Sequence, residues 1–233
     1  MIRFITGKPA LVVEDCLVLG DLHIGIEEKL EEKGIHVPNL SAGMGREVRE
    51  IFLSSNVKRL VLLGDIKESI GYPTKLGYSY LKAFFDEIKG IDTIVVKGNH
   101  DAHLSEVFSV LGLSYKIEKE LILRSTALAH GNAYPSKEAL SKKYLIIGHG
   151  HAAYGPVGGS VEKVWVIASS ARGKKLILVP AFNPMISGSN IRNWNADMGV
   201  IHAGSFNINE AKVYDLFGKP LGKVKELTKQ DLA

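Results

Sequence analysis

The chain has 233 residues, of which 45% are hydrophobic and 23% are charged, and its formal net charge at pH 7 is +4. This globular composition contains no apolar stretch near the ~20 residues of a membrane span, so we expect no membrane partner. The single cysteine, Cys16, excludes an intrachain disulfide, and the first residues lack the apolar segment of a signal peptide, so we expect a cytoplasmic protein.

The first half of the chain alternates short apolar runs with amphipathic segments. The predicted elements are strands at 2–5, 10–13 and 17–19, helices at 25–33 and 41–55, a strand at 60–63, a helix at 76–88, a strand at 93–96 and a helix at 104–111. In the second of these helices, Met44, Val48 and Ile51 recur on one face. The connections between the later strands are long enough for parallel pairing.

The second half of the chain is rich in short strands. We predict strands at 115–118, 120–129, 144–147, 161–168, 174–179, 199–203 and 211–217, with helical periodicity only around 136–143. A β-rich half that follows a strand–helix–strand half indicates two sheets face to face with helices outside them. Because no linker, internal repeat or low-complexity tract interrupts the chain, we expect one domain over residues 1–233.

Each of five apolar runs is followed by polar side chains at the point where the predicted strand ends. These side chains are Asp21 and His23, then Asp65, then Asn99, His100 and Asp101, then His130, and finally His149 and His151. A buried strand tolerates no polar group along its length, so polar residues collect where the chain leaves the sheet. Open α/β sheets usually hold their ligands at the carboxyl ends of the strands. The pattern therefore predicts one site along one rim.

Seven of these side chains are candidate metal ligands, namely two carboxylates, one amide oxygen and four imidazoles: Asp21, His23, Asp65, Asn99, His130, His149 and His151. A single ion rarely needs so many protein ligands, whereas two ions that share a carboxylate would use them all. Mixed nitrogen and oxygen donors suit transition metals better than Ca²⁺ or Mg²⁺. We therefore expect two divalent ions, with Mn²⁺ as the first choice and Fe, Zn or Ni as alternatives.

The residues around these ligands resemble a known family. Gly20-Asp-Leu-His23, Gly64-Asp65, Gly98-Asn-His-Asp101, His130-Gly131 and Gly148-His-Gly-His151 are similar, in order, to the five motifs of the calcineurin-like metallophosphoesterases. The tract Val179-Pro-Ala-Phe-Asn-Pro184, with Gly188, further resembles archaeal-type members related to the bacterial DNA-ligase-associated phosphoesterases. The resemblance implies a four-layer α/β/β/α sandwich of two mixed sheets, and a hydrolase that attacks phosphate esters with a metal-bridging hydroxide.

The resemblance also implies a role for each site residue. It assigns Asp21, His23, Asp65 and His151 to one ion, and Asp65, Asn99, His130 and His149 to the other, so that Asp65 bridges. Asn99 and His100 would contact the substrate, with His100 as the leaving-group acid or transition-state stabiliser. Asp101 would complete the catalytic pair by orienting His100.

The substrate class is less constrained by the sequence. We expect a phosphodiesterase that acts on nucleotides or nucleic acid, because members that act on phosphoproteins carry an arginine where this chain reads Gly64-Asp-Ile-Lys-Glu-Ser69. Lys67 is either a substitute phosphate contact or a solvated loop residue. The alternatives are a phosphomonoesterase or nucleotidase, a metal-binding scaffold without catalysis, and a nucleic-acid-binding module suggested by the basic charge balance.

Four further side chains have no assigned motif role. Asn183 either lines the pocket or satisfies backbone groups in its loop. His36, His103 and His202 lie outside the motifs and are interpreted as structural or surface residues.

Overall fold

The computed structural model describes residues 2–156, 158–193 and 206–228. In this part of the chain two mixed β-sheets pack together. The six-stranded sheet follows chain order and contains β1 (Ile2–Phe4), β2 (Leu11–Val13), β3 (Cys16–Leu19), β4 (Arg59–Leu63), β5 (Thr93–Val96) and β6 (Lys116–Glu118). The first two pairs are antiparallel and the last three are parallel, because helices connect β3 to β4, β4 to β5 and β5 to β6.

After the short helix α1 (Ile26–Glu32), three helices cover the outer face of this sheet: α2 (Ser41–Ser55), α3 (Lys75–Glu87) and α4 (Leu104–Val110). The sequence of α3 shows why it forms. The Thr74 hydroxyl accepts the Gly77 N–H at 3.0 Å and caps the first turn. Tyr80, Leu81 and Phe84 then recur on one face and are buried against the sheet.

The larger sheet contains nine strands among the described residues. They are β7 (Glu120–Ile122), β8 (Thr126–Ala129), β9 (Tyr144–Ile147), β10 (Ala152–Tyr154), β11 (Glu162–Ser169), β12 (Lys175–Leu178), β13 (Ser189–Asn190), β14 (Lys212–Asp215) and β15 (Pro220–Lys223). The spatial order is β13-β10-β11-β12-β9-β8-β7, with β14 on β11 and β15 on β14. The helices α5 (Lys137–Ser141) and α6 (Val224–Leu227) pack on its outer face, near a 3₁₀ turn at Ile191–Asn193.

The inner faces of the two sheets share one core. Val18 and Val61 of the first sheet and Leu128, Ile146 and Trp165 of the second belong to the same buried cluster. Successive residues of each strand point to opposite faces, so the alternate residues pack against the outer helices. The predicted fold class, two mixed sheets flanked by helices, is confirmed. The extent of the domain, 1–233, stays a prediction.

The structure corrects the predicted strand at 120–129. The chain turns between β7 and β8, which pair antiparallel, and the Leu123 N–H donates to the Thr126 carbonyl at 2.8 Å. The turn is polar, and the Ser125 N–H donates to the Glu14 carboxylate at 3.1 Å. The short strands β10, β13 and β15 were not predicted, because two to four residues carry too little periodicity. The predicted strand at 199–203 lies outside the described residues.

Among the described helices, none combines the length and the apolar character needed to cross a membrane.

Candidate metal centre

Parallel pairing brings the predicted site residues to one edge of each sheet. Leu63 at the end of β4 lies opposite Val96 at the end of β5, and β3 pairs with β4 in the same sense. In the second sheet β8 and β9 also run parallel. The two edges meet, because the His149 N–H lies 3.2 Å from both carboxylate oxygens of Asp21. The segments after five strands therefore face one another.

The first group of converging side chains consists of Asp21, His23, Asp65 and His151, whose potential ligand atoms all lie within 4.8 Å of one another. His151 Nε2 lies 3.1 Å from Asp21 Oδ1 and 3.2 Å from His23 Nε2. His23 Nε2 lies 3.7 Å from Asp65 Oδ2. Two imidazole nitrogens and two carboxylates thus converge at one point.

The second group consists of Asp65, His130 and His149, again within 4.8 Å of one another. His130 Nε2 lies 3.1 Å from Asp65 Oδ2 and 3.2 Å from Asn99 Oδ1. The ring centres of His130 and His149 are 5.0 Å apart. The structure therefore brings all seven predicted ligands together, in two groups that share Asp65.

Backbone strain is concentrated at this centre. Eight non-glycine residues in the described part of the chain have positive φ, and five of them are here: Asp21, His23, Asp65, His149 and His151, with φ between 42° and 64°. A left-handed conformation costs a non-glycine residue of order 1–3 kcal/mol. Such strain persists where the surrounding structure requires the side chain to point in one direction.

Two motif glycines permit the close approach of the ligands. A Cβ atom on Gly64 would lie 2.1 Å from His130 Nδ1, and one on Gly98 would lie 2.2 Å from Asp65 Oδ1. Any side chain at either position would displace a ligand of a different motif. This is why glycine precedes the polar residues in these two motifs.

The charges of the centre suit a cation. Burial raises the pKa of the Asp65 carboxyl, but the hydrogen bond and charge of His130, with the His100 N–H at 2.9 Å, lower it well below its usual range. Burial lowers the pKa of His130, but the bond to Asp65 and the carboxylates of Asp21 and Asp65 outweigh burial and raise it to about 9. The carboxylates of Asp21 and Asp65 thus favour a proton on His130, and a divalent ion would have to displace that proton to bind the imidazole. The donor set fits transition metals.

Glu68 contacts the ligand groups, although no role was expected of it from the sequence. His23 Nδ1–H donates to Glu68 Oε2 at 2.7 Å, and the Lys29 ammonium binds the other oxygen. Burial raises the pKa of Glu68, but these two bonds outweigh it and lower the pKa to about 2. A carboxylate on Nδ1 fixes the imidazole tautomer and leaves Nε2 free to coordinate. The signal in the sequence was an acidic residue three positions after Asp65.

His100 lies beside the two groups. Its Nδ1–H donates to the Glu68 carbonyl at 2.6 Å, and its ring centre is 4.9 Å from that of His23. We expected Asp101 to orient this ring, and the structure corrects that contact. The Asp101 carboxylate is fully buried and instead accepts backbone N–H groups of Ile66 and Gly98, both at 2.9 Å. A buried carboxylate needs such donors, so Asp101 holds the loops in place.

Lys67 matches neither of its two expected roles. Its side chain is fully buried, and its ammonium donates to the carbonyls of Ile70 at 3.0 Å, Gly71 at 2.9 Å and His100 at 2.6 Å, as well as to Ser69. A buried ammonium requires acceptors, and these carbonyls supply them. Lys67 therefore joins the loop after Asp65 to His100, and it is neither solvated nor open to a phosphate.

Asn183 satisfies backbone groups, which is the second of its two expected roles. It is buried, and its amide donates to the Leu22 carbonyl at 2.7 Å while its oxygen accepts the Met185 N–H at 2.8 Å. Of the remaining histidines, His36 and His103 are exposed, whereas His202 lies outside the described residues.

A groove of about 740 Å³ opens beside His130. Its walls include the exposed residues Lys97 and Lys119, for which the described residues offer no ion-pair partner, and Tyr134, which is 56% exposed. Three glutamates lie on the same walls. Glu118 pairs with a lysine of its own strand at 2.7 Å, Glu138 lies 3.9 Å from Lys142, and the Glu120 carboxylate accepts the Ser136 N–H at 2.8 Å. The groove therefore offers two unpaired cations and an aromatic ring next to the metal-ligand groups.

Known proteins resemble this chain over most of its length. The family model described as calcineurin-like phosphoesterase matches residues 16–208. The crystal structure of the nuclease MPE of Pseudomonas putida has a TM-score of 0.60 at 18% identity and covers 91% of this chain and 92% of its own. The phosphoesterase YfcE of E. coli has a TM-score of 0.43 at 18% identity, covering 89% and 97%. A search among curated proteins finds no significant relative. At 18% identity the likeness to the nuclease is one of fold.

Proposed function

Since the chain belongs to the calcineurin-like phosphoesterases, a family that depends on divalent metals, we propose that it is a phosphodiesterase that hydrolyses nucleotides or nucleic acid. Hydrolysis of a phosphoester bond follows from the family. The diester preference, the identity of the ions and the role of each residue are our proposal. The observation that carries it is the pair of ligand groups sharing Asp65 beside an open groove with unpaired lysines.

We assign two ions to the two groups of side chains. Asp21, His23, Asp65 and His151 would hold one, and Asp65, Asn99, His130 and His149 the other. When bound, two such ions acidify a water molecule and neutralise charge on the phosphate. Nitrogen and oxygen donors in these numbers suit Mn²⁺ first, with Fe, Zn or Ni as alternatives.

The side chains around the ions then bind and protonate the substrate. The exposed Asn99 amide and the His100 imidazole lie where they can contact the phosphate. Because the Glu68 carbonyl holds the Nδ1–H of His100, the proton for the leaving oxygen comes from Nε2 of the imidazolium. Lys67 supports this geometry by binding the His100 carbonyl at 2.6 Å.

The groove favours a diester over a monoester. A phosphomonoester needs only the site itself, whereas a nucleic acid continues beyond the scissile phosphate. Cationic groups that follow the backbone, together with aromatic rings that stack on bases, are the usual means of binding single strands. Lys97, Lys119 and Tyr134 provide both beside His130. The fold likeness to a nuclease gives a further reason to test nucleic acid first.

The test compares esters on one chelated and reconstituted preparation. We expect Mn²⁺ to restore hydrolysis of bis-p-nitrophenyl phosphate and of single-stranded DNA, with p-nitrophenyl phosphate a poorer substrate. The double variant Lys97→Ala/Lys119→Ala should raise KM for DNA and reduce its salt dependence by about one unit of slope per lost contact. The control Lys33→Ala/Lys58→Ala changes the charge equally at exposed sites away from the groove.

Other outcomes would identify the alternatives. Preference for the monoester, with no effect of the groove variant, would indicate a phosphomonoesterase or nucleotidase. Metal binding without hydrolysis of any ester would indicate a scaffold. DNA binding that weakens steeply with salt but survives chelation, without hydrolysis, would indicate a nucleic-acid-binding module.

A further inference from the structure

Two aromatic rings stack on the surface next to His100. The rings of Tyr72 and His103 lie 4.5 Å apart between centres, with an angle of 23° between their planes. Tyr72 is 57% exposed although His103 covers one face of its ring. More than half of the tyrosine is therefore open to a ligand, and Ile70 beside it in the loop is 61% exposed.

The ring pair is fixed relative to the site. The Lys67 ammonium donates both to the carbonyl of Gly71, the neighbour of Tyr72, and to the carbonyl of His100, at 2.9 and 2.6 Å. His103 follows His100 by three residues, so their Cα atoms are at most about 11 Å apart. One buried side chain thus ties the loop that carries Tyr72 to the backbone of His100.

His103 is held in a strained conformation. Its φ is 59°, in the left-handed region, and it stands at the start of α4 without a side-chain cap. Among the described non-glycine residues with positive φ, five of the others belong to the metal-ligand groups. Strain of this kind is concentrated at functional positions, and here the side chain it directs stacks on Tyr72.

We propose that Tyr72 and His103 form a stacking platform for the nucleobase on the leaving-group side of the scissile phosphate. This inference rests on the proposed function, because only a nucleotide or nucleic acid carries a base there. Every base has a flat aromatic face, so a tyrosine ring binds bases without selecting among them. A nucleoside attached to the oxygen that His100 protonates would lie next to His100, with its base within reach of the Tyr72 ring.

The platform differs from the groove beside His130 in having no cation. The groove supplies two lysines for backbone phosphates together with the ring of Tyr134, whereas the platform supplies two stacked rings and the apolar Ile70. A strand bound at the site would place phosphates near the lysines and one base on Tyr72.

The test uses a dinucleotide, since its single phosphodiester bond defines the cleavage point. We compare thymidylyl-thymidine with two analogues in which either nucleoside is abasic, and the products show which side leaves. In Tyr72→Leu the ratio of kcat/KM for the full dinucleotide to that for the analogue without the leaving-side base should fall about 5- to 100-fold. Tyr72→Phe keeps the ring and should keep the wild-type ratio, whereas His103→Ala should lower it less than Tyr72→Leu.

Phe217→Leu, which removes another exposed ring, between β14 and β15, serves as the control and should leave the rates on all three dinucleotides unchanged. An unchanged ratio in Tyr72→Leu would overturn the platform while leaving the proposed function intact. Equal losses on all three dinucleotides would also overturn it. If the wild-type protein hydrolyses neither the dinucleotides nor bis-p-nitrophenyl phosphate, the proposed function fails first and the platform falls with it.

Discussion

The two sheets contribute different chemistry to the same site. The edge of the first sheet supplies the imidazoles of His23 and His100 and all the carboxylates, each of them buried: Asp21, Asp65, Glu68 and Asp101. The edge of the second sheet supplies imidazoles: His130, His149 and His151, the last two of which are partly exposed. Among the described residues, the negative charge of the site therefore comes from one sheet, and the other sheet adds neutral or cationic nitrogen.

The carboxylates of the first sheet are held by the fold itself. Asp65 accepts the His100 N–H at 2.9 Å, and Asp101 accepts that of Gly98 at 2.9 Å. His130, by contrast, has a longer bond of 3.3 Å to the Leu63 carbonyl, and its Nε2 faces the Asp65 carboxylate at 3.1 Å and the Asn99 amide oxygen at 3.2 Å. Backbone N–H groups therefore fix the carboxylates of the first sheet, whereas His130 of the second sheet is directed at the ligand groups, and ions bound there would link the two sheets.

The largest effect is expected at Asp65, which belongs to both ligand groups. Asp65→Asn keeps the shape of the side chain but removes the charge that both ligand groups share. Because two ions stabilise a phosphoryl transition state by several kcal/mol, we expect kcat/KM to fall about 10⁴-fold and bound metal to drop below two ions per chain. Steady-state kinetics and elemental analysis measure both. The control is Asp86→Asn, an exposed carboxylate on α3, and wild-type activity in Asp65→Asn would contradict the account.

The next effect separates catalysis from metal binding. His100→Gln removes the imidazole whose Nδ1–H the Glu68 carbonyl holds. General acid catalysis contributes about 10²- to 10⁴-fold, so we expect kcat to fall about a thousandfold while the metal content stays at the wild-type value. The exposed His36→Gln serves as control. Full activity in His100→Gln would remove this residue from the mechanism.

A smaller effect tests how the first sheet orients its ligand. Glu68→Gln weakens the acceptor for His23 Nδ1–H and releases the Lys29 contact. Losing such a supporting carboxylate typically costs 10- to 100-fold in metal affinity, and we expect a loss in that range. Competition with a metal chelator measures it, with the exposed Glu50→Gln as control. Equal affinity in both variants would show that His23 needs no partner.

The smallest effect per step, at most about tenfold for each pH unit, concerns the protonation of His130 in the second sheet. The carboxylates raise the pKa of His130 to about 9 in the metal-free protein, so an ion must displace a proton below that pH. Affinity for Mn²⁺ should therefore rise by up to about tenfold per pH unit from pH 6 to 9 and then level off. Chelator competition across this range measures it. A flat profile would argue against coordination by His130.

Protonation of His130 also affects the free energy of unfolding, which should fall with rising pH where the affinity for Mn²⁺ rises. An imidazole whose pKa rises from about 6.5 in the unfolded chain to about 9 when folded adds stability that is complete below pH 6.5. This contribution is lost as the pH rises through 9. We expect the free energy of unfolding of the metal-free protein to decrease over that interval, whereas the metal-loaded protein should not follow this decrease. Urea denaturation with and without chelator measures the difference.

Much of this arrangement could be predicted because it depends on strand ends. A run such as Thr93–Val96 is buried on both faces, so Asn99, His100 and Asp101 after it had to face the edge of the sheet. Parallel pairing then brings such ends together without further information. The long amphipathic helices α2 and α3 were equally visible from their periodicity.

The supporting contacts could not be predicted, because they depend on loop conformation. Lys67 and Glu68 are charged neighbours in a loop, a pattern that usually indicates solvent exposure, yet both are buried. Their partners lie on other segments, in His100 and His23, and only the folded chain brings these together. For the same reason Asp101 was expected beside the His100 ring and instead binds backbone N–H groups.

The central claim is that side chains from two sheets hold two ions that share Asp65. Anomalous X-ray scattering from crystals of the Mn²⁺-reconstituted protein tests it most directly. The account predicts two peaks about 3.5–4 Å apart, one between Asp21 and His151 and the other beside His130 and Asn99. A single peak, or peaks only at surface carboxylates away from Asp65, would contradict it.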